Sequence, residues 1–128
     1  MIYLDSSVAL AFVFAEDRVP ERAFWSNELV SSELLKYEVW NRTHARRGPR
    51  VQQQTARELL EGIEFIELVP TNLSRALEPF PVSVRTLDAL HLATAHWLRE
   101  AGLEVVIASY DRRFSEAAAA LGFPAFAL

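Results

Sequence analysis

The chain has 128 residues, 51% of them hydrophobic, with no cysteine and a formal net charge of −4. This length suggests a single domain, residues 1–128, that buries a core without cross-links, and the lack of cysteine excludes disulfides and thiolate metal sites. An acidic chain is not a simple electrostatic nucleic-acid binder, so contact with a polyanion would require local basic patches or bound cations.

In chain order, the first segment predicts a strand followed by a helix. Residues 2–4 form a short apolar run that ends at Asp5, and Ser6 or Ser7 can cap a helix that runs to about Phe14. Asp5 comes too early for a signal peptide, and no apolar run approaches the ~18 residues of a membrane span. We therefore expect a cytoplasmic protein that does not contact membranes.

The same alternation continues through the middle of the chain. A strand is predicted at 29–31, and the helix after it starts at the cap Ser32, carries Glu38 and stops at Gly48. A polar helix is predicted over about 51–60.

The C-terminal half contains the longest predicted helix, which starts at Ser83 or Thr86 and runs to about Glu100. Continuous apolar residues at 104–108 predict a strand buried on both faces. Alternating strands and helices predict an α/β fold with a parallel sheet covered on both sides. The other predicted elements are strands at 63–69 and 124–127 and helices at 21–26, 71–77 and 111–121.

Acidic residues fall at positions where a parallel sheet presents its ligand-binding edge. Asp5 directly follows the first strand, and Asp111 follows the strand at 104–108 by a short loop. Asp88 lies in the first turn of the long helix, and Glu38 lies about a turn and a half into its own helix. Side chains at both positions can reach the same edge.

Four carboxylates brought close together would repel one another and raise one another's pKa values. A divalent cation removes that cost, and ligands that are all oxygen select a hard ion, Mg²⁺ or Mn²⁺. Such an ion binds phosphate oxygens and lowers the pKa of bound water. The pattern therefore predicts hydrolysis of phosphodiester bonds at a metal site.

Each acid also has a structural interpretation. Asp5 and Asp111 could cap helices, and Asp88 could complement a helix dipole. Glu33 competes with Glu38, but it lies in the first turn and points to a different face of the helix. We favour Glu38 as the fourth site acid.

Other polar residues near these positions have two interpretations. Ser109 could hold a carboxylate or a water, or could bond its own backbone. His91 lies one helical turn from Asp88, and we favour a partly buried structural histidine there. A set of arginines could bind RNA phosphates, or could be solvent-exposed residues near helix ends, where positive charge complements the helix dipole. They are Arg42, Arg46, Arg47, Arg50, Arg85, Arg112 and Arg113.

Four segments carry a family resemblance by their order and spacing over almost the whole chain. They are Met1–Ser7 (MIYLDSS), Ser31–Val39 ending in YEV, Arg85–Ala95 (RTLDALHLATA) and Ser109–Phe114 (SYDRRF). In these segments the chain resembles the PIN-domain ribonucleases, and within them the VapC toxins of bacterial and archaeal toxin–antitoxin pairs. The third segment is the most specific.

The resemblance implies a three-layer αβα fold around a parallel sheet of about five strands. It assigns Asp5, Glu38, Asp88 and Asp111 to the acidic quartet that holds the metal, and Ser109 to the family's Ser/Thr position, where threonine is common. It also implies RNA cleavage that leaves a 5′-phosphate, a homodimer, and inhibition by a VapB-like antitoxin whose tail reaches the acidic site.

Three other functions stay open at this point. A related RNA-processing nuclease outside a toxin–antitoxin pair would share the same site. A phosphotransfer domain would also place acids at the sheet edge, but Ser7 occupies the position of the second aspartate of the phosphatase signature, and the only lysine, Lys36, should face elsewhere. A non-catalytic binding module is disfavoured by the complete acidic set.

Overall fold

The structure is a computed structural model that describes residues 1–128. Its strands are β1 (Ile2–Leu4), β2 (Leu29–Ser32), β3 (Glu64–Ile66) and β4 (Val106–Ala108). Its α-helices are α1 (Ser6–Val13), α2 (Leu34–Arg46), α3 (Arg50–Glu61), α4 (Pro70–Leu73), α5 (Thr86–Glu100) and α6 (Arg112–Ala120). Two short 3₁₀ helices occupy Arg22–Ser26 and Ser74–Leu77.

The four strands form one parallel sheet in the order β3-β2-β1-β4. In β1, Ile2 pairs with Leu29 on one side and Val106 on the other, so β1 lies in the centre of the sheet. Parallel strands need crossover connections, and helices supply them on both faces. The predicted α/β fold is confirmed.

The fifth predicted strand, at 124–127, is reduced to a single bridge. Ala125 pairs with Ile107, with hydrogen bonds from the Ile107 N–H to the Pro124 carbonyl (2.9 Å) and from the Phe126 N–H to the Ile107 carbonyl (2.8 Å). Proline lacks the N–H that a longer ladder would require. The predicted strand at 63–69 is also shorter, because pairing with β2 stops at Ile66.

Side-chain alternation along the strands divides the core into two layers. Ile2 and Leu4 pack with α1, α2 and α3 on one face, whereas Tyr3 packs with α5 and α6 on the other. The longest helix, α5, has 15 residues, and no helix combines the length and apolar character needed to cross a bilayer.

Helix starts show which of the predicted caps are used. The N-cap of α2 is Glu33, one residue after the predicted Ser32, although the Ser32 Oγ does accept the Leu34 N–H at 3.2 Å. The cap of α1 is Asp5, not Ser6 or Ser7, because its carboxylate is the group that accepts the Ser7 N–H. Likewise Pro70, not Thr71, opens α4, where the fixed φ of proline suits the first helical position.

Candidate active site

The carboxyl ends of β1 and β4 lie side by side and present Asp5 and the β4–α6 loop at one edge of the sheet. The Asp5 N–H donates to the Ala108 carbonyl at 3.0 Å, which continues the pairing of the two strands. Asp5 is only 4% exposed, although its side chain is a carboxyl group. A buried carboxylate needs partners, and the neighbouring loop provides them.

Two hydroxyl groups bind one oxygen of Asp5. The Ser7 hydroxyl donates to Asp5 Oδ2 at 2.5 Å, and the Ser109 hydroxyl donates to the same oxygen at 2.7 Å. The Ser7 hydroxyl also accepts the Tyr110 N–H at 2.9 Å, and Ser109 Oγ accepts the Asp111 N–H at 2.9 Å. All side-chain hydrogen bonds to Asp5 end on Oδ2, so Oδ1 is available for another ligand.

Glu38 reaches the same region from α2 and is held at both oxygens. Its Oε2 accepts the Ser6 hydroxyl at 3.2 Å, and its Oε1 bonds to His91 Nε2 of α5. The rival Glu33 instead pairs with Lys36 at 3.5 Å. The contact with Ser6, the residue after Asp5, places Glu38 beside the ends of the central strands.

A buried chain of hydrogen bonds supports Glu38 from the core. His91, 1% exposed, bonds through Nδ1 to the Tyr3 hydroxyl at 2.7 Å, and that hydroxyl accepts the Ser32 N–H at 3.1 Å. Burial raises the pKa of the Tyr3 phenol, so the phenol keeps its proton. We assign the Tyr3 O–H as donor to Nδ1, which leaves the ring proton of His91 on Nε2, facing Glu38.

The role of His91 gives a first testable prediction. Groups that orient a metal ligand typically change metal affinity or activity by roughly 10- to 100-fold when they are removed. On the hypothesis that Glu38 binds the predicted cation, His91→Leu should lower the RNA cleavage predicted from the sequence by about that factor, and His91→Gln should recover part of it because the amide can still donate to Glu38. Initial cleavage rates measure the effect, and thermal melts verify folding. Equal rates for the two variants would show that no donor to Glu38 is needed.

Asp111 and Asp88 complete the acidic group. Asp111 caps α6: its Oδ1 accepts the N–H groups of Arg113 (2.9 Å) and Phe114 (3.2 Å). Asp88 lies in the first turn of α5. Burial raises the pKa of the Asp88 carboxyl, the charges of Asp5, Asp111 and Glu38 raise it further, and His91 opposes them. Asp88 therefore lies within electrostatic reach of all three other acids.

The raised pKa of Asp88 predicts how the stability of the metal-free protein depends on pH. In the unfolded chain the Asp88 carboxyl loses its proton near its ordinary pKa of 3.8, whereas in the folded chain it keeps the proton to higher pH. Between the two values the folded state binds more protons, so this carboxyl makes the free energy of unfolding fall as pH rises. Chemical denaturation of wild type and Asp88→Asn in EDTA across this window should show a smaller fall for the variant. If the free energy of unfolding changes with pH equally in wild type and in Asp88→Asn, the raised pKa is not that of Asp88.

The oxygen-only donor set fits a hard divalent cation, but the acids are not gathered into a formed centre. No three Asp, Glu or His side chains have the tight spacing of a metal-binding group. The geometry explains this: Glu38 is tied to Ser6 and His91, and Asp111 is tied to the start of α6. Mutual repulsion also favours separation of uncompensated carboxylates. The metal site therefore stays a prediction.

The candidate arginines separate into different environments. Arg42 and Arg46 line a cleft that reaches Ser7, and Arg85 lines another cleft that contains Asp88 and Arg113. The remaining three candidates lie elsewhere: Arg112 pairs with Glu116 at 2.9 Å, Arg47 is the C-terminal cap of α2 with left-handed backbone, and Arg50 is the first residue of α3.

Sequence reasoning missed several contributors to this region. The Tyr3 hydroxyl, which reaches His91, and the Ser7 hydroxyl, which reaches Asp5, were not assigned a role in the site. His91 was favoured as a structural histidine; it is buried, and it also bonds to the candidate site acid Glu38. Its spacing of one turn from Asp88 was a usable signal. Nothing in the sequence pattern pointed to Tyr3.

Known proteins resemble this chain in sequence and in fold. The family model described as PIN domain matches residues 2–120. Ribonuclease VapC47 of Mycobacterium tuberculosis is 29% identical over 130 residues, which cover 96% of this chain and 93% of that protein. The crystal structure of M. tuberculosis VapC20, described as a toxin that cleaves the sarcin–ricin loop, matches with a TM-score of 0.66 at 19% identity, covering 91% of this chain and 95% of that one. The structural match confirms the three-layer αβα arrangement.

Proposed function

Because the chain belongs to the PIN-domain family, we propose that it is a Mg²⁺- or Mn²⁺-dependent endoribonuclease. Its site acids would be Asp5, Glu38, Asp88 and Asp111, assisted by Ser109. The observation that supports this most strongly is the Asp88 carboxyl, whose pKa is raised by burial and by the charges of the other three acids. Four acids from distant parts of the chain thus share one negative region at the carboxyl edge of a parallel sheet, where ligands of such folds bind.

The free oxygens of the quartet define which residues would hold the cation. Asp5 offers Oδ1, Asp111 offers the oxygen that does not cap α6, and Asp88 is only partly buried. Glu38 would complete the site directly or through a water. A bound Mg²⁺ or Mn²⁺ would neutralise the acids and act as a Lewis acid for phosphodiester hydrolysis.

The other residues position these acids. Ser7 and Ser109 fix the carboxylate of Asp5 by binding Oδ2, and His91 and Ser6 fix Glu38. Preorganised side chains do not need to reorient during the reaction, which lowers its free-energy barrier. Of the arginines predicted to bind RNA, Arg42, Arg46 and Arg85 line clefts at this region and would contact the RNA phosphates.

The biological role that we propose is that of a toxin in a toxin–antitoxin pair. A named relative is a VapC ribonuclease that is similar over nearly its whole length. On this basis the partners would be an RNA substrate, a VapB-like antitoxin and a second copy of the chain, all in the cytoplasm. A PIN nuclease that processes RNA without an antitoxin would use the same chemistry. Co-purification of a small protein encoded beside this chain would favour the toxin.

A phosphotransfer function has less support from the structure. Such domains use a lysine near the acidic site, and Lys36 is the only lysine of the chain. Its ammonium group pairs with Glu33 and lies 4.4 Å from the centre of the Phe65 ring. It therefore does not reach the acids around Asp5.

The proposed function is tested by the products of RNA cleavage. Incubation of the purified chain with an RNA mixture and Mg²⁺ should yield fragments with 5′-phosphate and 3′-hydroxyl ends, and EDTA should abolish the cleavage. End-specific ligation and sequencing identify both ends. Fragments with 2′,3′-cyclic phosphate ends, or equal cleavage in EDTA, would contradict a metal-dependent hydrolysis.

A further inference from the structure

The outer side of β3 is an unpaired edge of the sheet. β3 is the terminal strand in the order β3-β2-β1-β4, whereas the opposite edge, beside β4, is covered by the bridge between Ile107 and Ala125. Unpaired strand edges present N–H and C=O groups that pair readily with another chain. The edge of β3 is therefore the side on which a further strand can join the sheet.

A row of backbone groups along this edge points away from the sheet. The Glu33 N–H donates to the Ile66 carbonyl at 2.9 Å, so the backbone of Ile66 faces β2. Because alternate residues of a strand bond to opposite sides, Phe65 directs its N–H and C=O outward. The Ile63 carbonyl and the Glu67 N–H lie in the same row, and neither has a backbone partner. These groups form a short ladder that an extended segment can complete.

A groove of about 500 Å³ lies beside this edge, between α2 and α3. That volume is within the range of sites that bind ligands. Its apolar walls are Tyr37, Trp40, Leu60 and Phe65, and Tyr37 is 65% exposed although its ring is largely apolar. Phe65 belongs to both the groove and the edge. A segment paired with β3 would therefore place every second side chain on the groove side of the sheet.

The cations of the groove already have partners within the chain, whereas the acids around β3 do not. The Lys36 ammonium pairs with Glu33 and lies over the Phe65 ring, and Arg57 donates to the Gln54 side chain at 3.0 Å. Three exposed glutamates form neither an ion pair nor a side-chain hydrogen bond: Glu61, Glu64 and Glu67. The edge therefore carries negative charge that complements a basic partner.

These charges act against a second copy of the chain as the occupant. If β3 paired with itself about a two-fold axis at Phe65, Glu64 of each copy would lie opposite Ile66 of the other. The two Glu64 side chains would then be diagonal neighbours on one face, within reach of each other. Like charges at that separation repel, so the edge selects a segment of opposite charge.

We infer that the edge of β3 binds an extended, basic segment of another protein by β-strand addition. Main-chain hydrogen bonds to the outward groups of β3 hold the segment, and its alternate apolar side chains enter the groove. Its lysine or arginine side chains lie beside the three glutamates. Glu38 points from α2 towards Ser6 and His91, whereas Tyr37 lines the groove, so a segment bound here leaves the acidic site open.

Fluorescence anisotropy with a short labelled peptide that alternates lysine and valine tests the charge and the pairing. Glu64→Lys/Glu67→Lys should weaken its binding at least about tenfold. Glu28→Lys/Glu104→Lys is the matched control, since it changes the net charge equally at exposed positions away from β3, and it should bind within about twofold of wild type. A peptide N-methylated at alternate amides, which cannot pair with β3, should bind far more weakly to the wild-type chain.

Hydrogen exchange of single amides, followed by NMR, tests the mode of binding. The bound peptide should slow exchange of the Phe65 and Glu67 N–H groups at least about tenfold, because both gain an acceptor. The Ile66 N–H faces β2 and should change little.

Several outcomes overturn the inference. It fails if Glu64→Lys/Glu67→Lys binds the peptide as tightly as the control variant, if a peptide that alternates glutamate and valine binds equally well, or if the Phe65 amide stays unprotected. Protection of that amide without peptide, rising with protein concentration, would assign the edge to a second copy of the chain. No RNA enters these measurements, so their result stands whether or not the chain proves to be a ribonuclease.

Discussion

Asp5→Asn should fold normally and cleave RNA about 1,000-fold more slowly than the wild-type chain. Asparagine is an equally good helix cap and nearly the same size as aspartate, so α1 keeps its start. It removes the charge that the proposed cation requires, however. A metal contributes several kcal/mol to such reactions, and each ~1.36 kcal/mol corresponds to a factor of ten in rate.

Initial rates of RNA cleavage at saturating Mg²⁺ measure this effect. Asp17→Asn is the matched control, since Asp17 is the only aspartate outside the proposed site and is exposed. It changes the net charge by the same amount and should cleave at the wild-type rate. Activity of Asp5→Asn within tenfold of Asp17→Asn would remove Asp5 from the site.

Asp88→Asn should change activity and stability in opposite directions. Cleavage should fall by about 1,000-fold for the same reason as in Asp5→Asn. In EDTA at neutral pH, however, the melting temperature should rise, because the substitution relieves desolvation of a carboxylate and its repulsion by Asp5, Asp111 and Glu38. The site is partly open to solvent, so we expect ~1 kcal/mol or less, or about 1 to 5 °C.

Thermal melts with and without metal make this prediction specific. Wild type should be stabilised by added Mn²⁺ because the cation binds only the folded state, whereas Asp88→Asn should respond much less. Asp17→Asn should behave like wild type in both conditions. A lower melting temperature for Asp88→Asn in EDTA would indicate that the carboxylate stabilises the fold through a dipole or cap interaction.

Much of the fold could be predicted because its signals are local. The apolar runs before Asp5 and at 104–108 predicted β1 and β4, and α5 begins at Thr86, one of its two predicted starts, and ends at Glu100 as predicted. The terminal strand was over-predicted because apolar residues at 124–127 resemble a strand, whereas Pro124 and the short remaining chain allow only one bridge.

Capping a helix does not exclude Asp5 or Asp111 from the candidate site. Asp5 and Asp111 each cap a helix with one oxygen, and each still has a second oxygen. A strand that ends at the edge of a parallel sheet is followed by a helix start, so a cap residue there also faces the ligand-binding edge. A local sequence pattern that indicates a cap therefore does not exclude a role in the candidate site.

The hydrogen bond between Tyr3 and His91, which supports Glu38, could not be derived from the sequence. Tyr3 and His91 are 88 positions apart, and their contact exists only because α5 packs on the face of β1 that Tyr3 occupies. Apolar periodicity predicts that Tyr3 is buried, but it does not give the direction of its hydroxyl. The same holds for Arg18, which lies in a polar break and meets Tyr110 only in the folded chain.

The central claim is that these acids jointly bind a hard cation, and calorimetric titration tests it most directly. Mn²⁺ titrated into the wild-type chain should give saturable heat, and the same titration of Asp88→Ala should give much weaker binding or none. Asp17→Asn should reproduce the wild-type curve. Absence of saturable heat in the wild-type chain, or identical binding by wild type and Asp88→Ala, would contradict the claim.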